Sequence, residues 1–223
     1  ITDAMGNTAT DSKTFTVDKN SPVISMTGAN NYDKFDKAFD LEVQIDEEFY
    51  ASKQVSVKGT RTDIDGKVEN LDYRDSIAPA TNPTIVKHTF DQDGIYDITV
   101  YARDSAGNET TNSVHFVIDK TKPAIGDLSA YDNKVFNEFK WDIDLDELVS
   151  DLTVCDVHMY LNGSEYDGSS NIEDGAYTLV IKAVDELGHE SEKSVNFILD
   201  TKAPVFIVSG VEDGQIKNEA YKI

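Results

Sequence analysis

Two sets of acidic side chains stand out in this 223-residue chain as residues that could do chemistry. One comprises Asp18, the run Asp46-Glu47-Glu48, and Asp104. The other comprises Asp119, Asp144, Asp146, Glu147, and Asp185 with Glu186. Carboxylates are the ligands that hard cations such as Ca²⁺ take, six to eight oxygens at a time. The residues expected to ligate are Asp18, Asp46, Glu47 and Asp104 in the first set. In the second they are Asp119, Asp146, Glu147 and Asp185. The competing reading is solvated turn acids on a generally acidic surface, since no loop has the spacing of an EF-hand.

Other chemistry is poorly supported. His88, His115, His158 and His189 share no local motif, and no nucleophile elbow, zinc-helix pattern or phosphate-binding glycine loop occurs. Cys155 and His158 are three apart, which on a strand sends them to opposite faces, so they make no metal pair. Cys155 reads as a small buried strand residue. Asp and Glu number 42 against 20 Lys and Arg, a formal charge of −22. That balance excludes a nucleic-acid binder, which needs clustered cations, and electrostatic adhesion to anionic lipid. No apolar run approaches the roughly 20 residues of a membrane helix. One cysteine rules out an intramolecular disulfide framework.

What positions the acids is an internal repeat. Asp3-Ala4-Met5-Gly6-Asn7 leads through Phe15 and Asp18 to Pro22. Asp104-Ser105-Ala106-Gly107-Asn108 leads through Phe116 and Asp119 to Pro123, and Asp185-Glu186-Leu187-Gly188-His189 through Phe197 and Asp200 to Pro204. Each Asp-to-Pro interval is 19 residues. Before the last two copies stand Asp93-Gly94-Ile95-Tyr96 and Asp174-Gly175-Ala176-Tyr177, with each Gly 10 residues ahead of the next Asp. The proline spacings of 101 and 81 residues are those of domains rather than solenoid units. The chain is therefore expected to hold the last hairpin of one repeat (1–19), two complete domains (20–119 and 120–200), and the start of another (201–223).

Each phrase predicts a β-hairpin. Tyr96, Ile98, Val100 and Ala102 alternate at period two, as do Tyr177, Leu179, Ile181 and Ala183, giving strands with one buried face. Gly107 supplies the positive φ of the turn, and the Asp104 carboxylate is placed to cap turn amides. Returning strands are expected over Val114–Ile118 and Val195–Leu199. Upstream strands are expected over Ala38–Ile45, Gln54–Gly59, Phe139–Leu145 and Leu152–Leu161. About seven short strands per repeat, with no sustained helical period, predict an all-β chain of tandem immunoglobulin-like sandwiches. Tyr96 and Tyr177 fit a tyrosine corner. The first domain is longer between its third strand and its penultimate hairpin, and the Asp65-Gly66 turn, the segment Val68–Arg74 and the Pro79–Pro83 loop found there predict extra edge strands or a hairpin. That insertion brings together Arg61, Tyr73 and Arg74, residue types favoured at binding hot spots. Trp141, in phase with Phe139 and Ile143, is expected in the core.

The phrase resembles the bacterial Ig-like repeats of large secreted and wall-anchored surface proteins. The resemblance rests on Gly94, Tyr96, Ala102, Asp104, Ala106, Gly107, Asn108, Phe116, Ile118, Asp119, Thr121 and Pro123. The second copy departs from it at Leu187 and His189, and Ala203 displaces the usual approach to proline. The resemblance implies an Ig-like β-sandwich outside a bacterial cell, serving as a stalk or adhesin module beside neighbouring repeats of its own chain. A host protein or glycan is the implied ligand of an adhesin. In such an array the loop between strands two and three shares a pole with the last hairpin turn and the incoming chain. That pole gathers the two acidic sets, and Ca²⁺ is the cofactor they suggest. Wall-anchored Ig-like domains can also carry isopeptide bonds. Lys37, Lys53 and Lys140 lie near strands, but spacing singles out none of them, and solvated lysines are the simpler reading.

Overall fold

The computed structural model describes residues 1–48, 55–73, 82–207, 209 and 213–216. It is all-β apart from one helical turn. Among the described residues no helix is long and apolar enough to cross a membrane. The chain divides into two compact units. The first holds residues 1–123 with 150–155 and 184–189, and the second holds 124–149, 156–183 and 190–223.

The first unit contains a two-sheet sandwich. Strands β1 (Val23–Thr27), β3 (Phe39–Asp46) and β6 (Thr84–Phe90) form one sheet in the order β1-β3-β6. The other runs β2-β8-β7-β4-β5, from β2 (Asp33–Phe35), β4 (Ser56–Thr62), β5 (Val68–Asp72), β7 (Gly94–Arg103) and β8 (Glu109–Ile118). Alternation builds the core from both sides. Leu41, Val43, Ile45, Val86 and Phe90 come from the first sheet, and Val57, Tyr96, Ile98, Val100, Val114 and Phe116 from the second. The extra length of this stretch supplies β5 and β6, each at a sheet edge. Of the segment Val68–Arg74, the strand takes Val68–Asp72, and Arg74 lies outside the described residues.

The second unit centres on a sheet in the order β10-β15-β14-β12-β13. Its strands are β10 (Lys134–Phe136), β12 (Cys155–Leu161), β13 (Ser164–Glu165), β14 (Gly175–Asp185) and β15 (Glu190–Leu199). The register repeats that of the first unit: β2 pairs parallel to β8 with Asp33 opposite Phe116, and β10 pairs parallel to β15 with Lys134 opposite Phe197. A two-residue pair, β9 (Ala124–Ile125) with β11 (Val149–Ser150), completes the described strands.

The strand expected over Phe139–Leu145 does not form. Residues 137–144 are irregular, and a single turn, α1 (Leu145–Leu148), follows with Asp144 as its N-cap. In the first unit β3 is held between β1 and β6. The 120–200 stretch has no counterpart of β6 among its described residues, so the backbone at 139–144 has no partner strand to bond. The side chains keep their phase nonetheless: Trp141 is buried, and Phe139, Ile143 and Leu148 pack into the same core as Leu179, Ile181 and Phe197.

The tyrosine corner forms twice. The Tyr96 hydroxyl donates to the Gln92 carbonyl at 2.8 Å, and the Tyr177 hydroxyl to the Glu173 carbonyl at 2.8 Å. Beside the second corner, Asp174 accepts from the Thr201 hydroxyl at 2.7 Å and its amide at 2.9 Å. These bonds, the hydroxyl's first, then Lys202, depress the Asp174 pKa to about 2. A depressed carboxylate stabilises the fold above its unfolded pKa of about 4, and that contribution is lost as pH falls toward 2. Carboxyl NMR titration of Asp174 should therefore give a value near 2, moving up toward 4 in Thr201→Val. An unmoved value in the variant would show that the hydroxyl is not the cause.

Candidate metal centre

The hairpin turn is the local device that positions Asp104 and Asp185. The repeated phrase builds it three times with one hydrogen-bond pattern, and the turn at Asp63 between β4 and β5 has the same bonds. The Asp3, Asp104 and Asp185 amides donate to the carbonyls of Asn7, Asn108 and His189 at 2.9, 3.0 and 3.1 Å. In each case the Asp Oδ1 accepts the amide of the residue four places on. Gly6, Gly107 and Gly188 take φ of 86°, 100° and 87°, which a side chain would oppose. The Asn108 side chain closes the loop by donating to Asp104 Oδ2 at 2.7 Å and to the Asn20 carbonyl at 2.9 Å. At the third copy His189 Nδ1 makes the equivalent contact with Asp185 Oδ2 at 2.6 Å.

The incoming chain brings a second acid by an equally local motif. Asp119 Oδ1 accepts the Thr121 amide at 3.1 Å and its hydroxyl at 2.9 Å. Asp151 Oδ1 accepts the Thr153 amide and hydroxyl at 2.9 and 3.1 Å, and Asp18 Oδ1 accepts the Asn20 amide at 3.0 Å. With one oxygen committed to its own turn, each carboxylate leaves the other to face its neighbours.

Two trios result, and both lie in the first unit. Asp18, Glu47 and Asp104 each offer a ligand oxygen, all within 4.8 Å of one another. Asp119, Asp151 and Asp185 do the same within the same limit. Five of the six were expected from sequence and Asp151 was not. Asp46 instead points to solvent and accepts from the Gln44 side chain. Asp146 and Glu147 are exposed on α1, outside the trio. Glu47 directly follows β3, whereas after β11 the corresponding acid is Asp151, because α1 inserts a helical turn before the strand. The Asp-x-Thr phrase shared by 119–121 and 151–153 was the signal that could have found it.

Burial makes the second trio electrostatically costly. Asp119 is fully buried and Asp185 is 6% exposed. Unit charges 4.8 Å apart repel by about 3.5 kcal/mol at an effective dielectric of about 20. Burial first, and the adjoining Asp151 carboxyl second, push the Asp119 pKa above its ordinary value. Burial also opposes ionisation of Asp104 and Asp185, yet the bonds from their turns outweigh it and hold both below the ordinary value. Cys155 is half-buried beside these acids. Burial, and then Asp151 and Asp185, push its thiol up to about 11, so without a cation it stays protonated at neutral pH. An all-oxygen donor set of this kind suits hard cations.

The other residues singled out from sequence sit elsewhere. Arg61 and Tyr73 meet at a cavity of about 170 Å³, also lined by Leu71, His88, Phe90 and Tyr96. Arg61 donates to the Asp93 carbonyl at 2.7 Å and pairs with Glu69. His158 pairs with Asp156 and Glu165 on the surface. Lys37 and Lys140 are exposed, and Lys53 lies outside the described residues.

Two sheets closed over one core, cornered by a tyrosine and turned by an Asp-capped hairpin, define an immunoglobulin-like β-sandwich. The chain belongs to the family of bacterial Ig-like domains (group 3), whose model matches residues 1–124. No curated protein matches the sequence. Among solved structures it is similar to dimeric latent PorU from Porphyromonas gingivalis, at 13% identity and a TM-score of 0.28. That match covers 82% of this chain and 24% of the other. It is also similar to a Bacteroides ovatus mixed-linkage glucan utilization protein, SGBP-B, solved with a heptasaccharide. There the identity is 10% and the TM-score 0.28, covering 80% of this chain and 48% of that one. The chain thus spans less than half the length of either.

Proposed function

We propose that this chain is a non-catalytic spacer module of a bacterial surface or secreted protein, holding other modules away from the cell. The observation that carries the reading is the threefold recurrence of one phrase, an Asp-capped turn followed by a proline 19 residues after the Asp. A sequence that rebuilds one whole phrase at domain-sized intervals is the mark of an array whose neighbouring repeats are its partners. Such an array needs stiffness and length rather than a reaction centre. Deleting residues 20–200 from the full-length protein should bring its outermost module measurably closer to the cell wall in immunogold micrographs. The specific activity of that module, purified, should be unchanged. Loss of activity in solution, or antibodies that reach the chain only in lysed cells, would overturn the reading.

One observation favours a second reading, an adhesin module. Arg61 and Tyr73, which the sequence suggests as ligand-binding residues, line one cavity together with the rings of His88, Phe90 and Tyr96. Binding to a host glycan or protein on an array, lost in Arg61→Ala/Tyr73→Ala, would support it. An array silent for the wild-type chain would remove it. A catalytic domain elsewhere in the full-length product would instead make this stretch an accessory of a secreted carbohydrate-active enzyme.

A further inference from the structure

We propose that Asp119, Asp151 and Asp185 form a binding site for a hard divalent cation, with Ca²⁺ the ion its chemistry fits best. The proposal goes beyond the spacer reading and does not depend on it. Three acidic side chains in proximity would prove little, but here two of the carboxyl oxygens are enclosed with no donor to satisfy them. Asp119 is fully buried, and its Oδ2 is enclosed with no hydrogen-bond partner. Asp151 Oδ2 is likewise enclosed and unpartnered. Among the described residues no cationic side chain bonds to either oxygen, and His189 Nδ1 is bonded instead to Asp185 Oδ2 at 2.6 Å. A buried ionised carboxylate persists when it is paired or coordinates a metal. Asp185 contributes the third ligand and is itself anchored by the Leu187 and His189 amides at 2.8 Å each.

The ligands are also preorganised, because each is fixed by amide donors of its own turn and need not be recruited on binding. The trio at Asp18, Glu47 and Asp104 repeats the plan: an acid from the incoming chain, one from the end of a strand, and one from the hairpin turn. Asp18 Oδ2 is again enclosed and unpartnered. Three protein carboxylates leave part of a six- to eight-oxygen shell to water, which sets the expected affinity at roughly 10⁻⁴ to 10⁻³ M, the range of extracellular modules. The ion would tie Asp119, at the end of one sequence repeat, to Asp151 and Asp185 of the next.

The test compares the wild-type chain with Asp151→Asn and Asp119→Asn. Asn keeps an oxygen to accept from the Thr153 or Thr121 amide, so the turn survives while one charge is removed. Isothermal titration with CaCl₂ should show the wild type binding, and each variant at least tenfold weaker at one site. Melting temperatures should invert. In EGTA both variants should melt above the wild type, because repulsion is relieved. In millimolar CaCl₂ both should melt below it. A merely structural role would lower both melting temperatures alike. If the wild type takes up no Ca²⁺, Mg²⁺ or Mn²⁺, the trio shares a proton instead and the proposal fails. It also fails if the variants bind as the wild type does, since binding then resides elsewhere.

Discussion

Phe116→Ala is expected to destabilise the first unit by about 5 kcal/mol, and Phe197→Ala the second by about 3 kcal/mol. The two phenylalanines occupy the same place in the repeated phrase, so the difference tests environment rather than residue type. Phe116 has no exposed surface and meets Phe39, Phe90 and Tyr96 at centroid distances of 4.9, 5.1 and 5.0 Å. Phe39 and Phe90 come from the facing sheet, whose strands are hydrogen-bonded to one another and resist collapse into a void. The full cavity cost therefore stays in the native state. Phe197 stacks on Phe139 at 4.3 Å and meets Tyr177 at 5.4 Å. Phe139 rides on the irregular 137–144 segment, which has no ladder to hold it and can slump into the space. Urea unfolding separates the cases. Trp141 fluorescence reports the second unit, and methyl NMR of Ile98 and Ile118 reports the first. Equal losses, or the larger loss at Phe197, would contradict the claim that the second unit's covering layer is the softer one.

The same contrast explains what the sequence reveals and what it hides. Hairpins are legible because their causes are local. The alternation of Tyr96, Ile98 and Val100 sets a buried face, Gly107 sets the turn, and Asp104 finds its donors within four residues. The tyrosine corners are legible for the same reason, each hydroxyl reaching a carbonyl four residues back. The Phe139–Leu145 strand misleads because side-chain period reports which groups are buried, whereas a strand also needs a neighbour to bond. That neighbour is a property of the whole topology, and the shorter 120–200 stretch does not supply it. The acids divide on the same line. Asp104 and Asp185 are fixed by their own turns, and Asp18 and Asp119 by the residue two places on. The third member of each trio depends on where a preceding element stops. The single turn Leu145–Leu148, capped by Asp144, displaces that point from Asp146 to Asp151.

Gly59→Ala is expected to cost about 3 kcal/mol, at the upper end for an overpacked site. Glycine in the middle of a strand is ordinarily a weakness, since it has no side chain to pack and loses much backbone freedom on folding. Gly59 lies mid-strand in β4, opposite Ile98 of β7 on one side and Leu71 of β5 on the other. A Cβ there would lie 2.3 Å from the Asp97 carbonyl oxygen and 2.5 Å from Ile98 Cδ1. Ile98 could change rotamer only by pressing into a core where it is fully buried, and the Asp97 oxygen is main chain. Relief therefore requires β4 to move off β7, carrying β5 with it. Gly66 is the control. Its φ is 77°, yet nothing lies within 4 Å of the position its Cβ would take. Gly66→Ala should cost only about 1 kcal/mol of backbone strain. Because Arg61 on β4 and Tyr73 just past β5 line the aromatic cavity, Gly59→Ala should also shift the Tyr73 and His88 ring resonances, and Gly66→Ala should not. Equal losses for the two substitutions would mean that β4 and β7 are not held in the close approach that Gly59 permits.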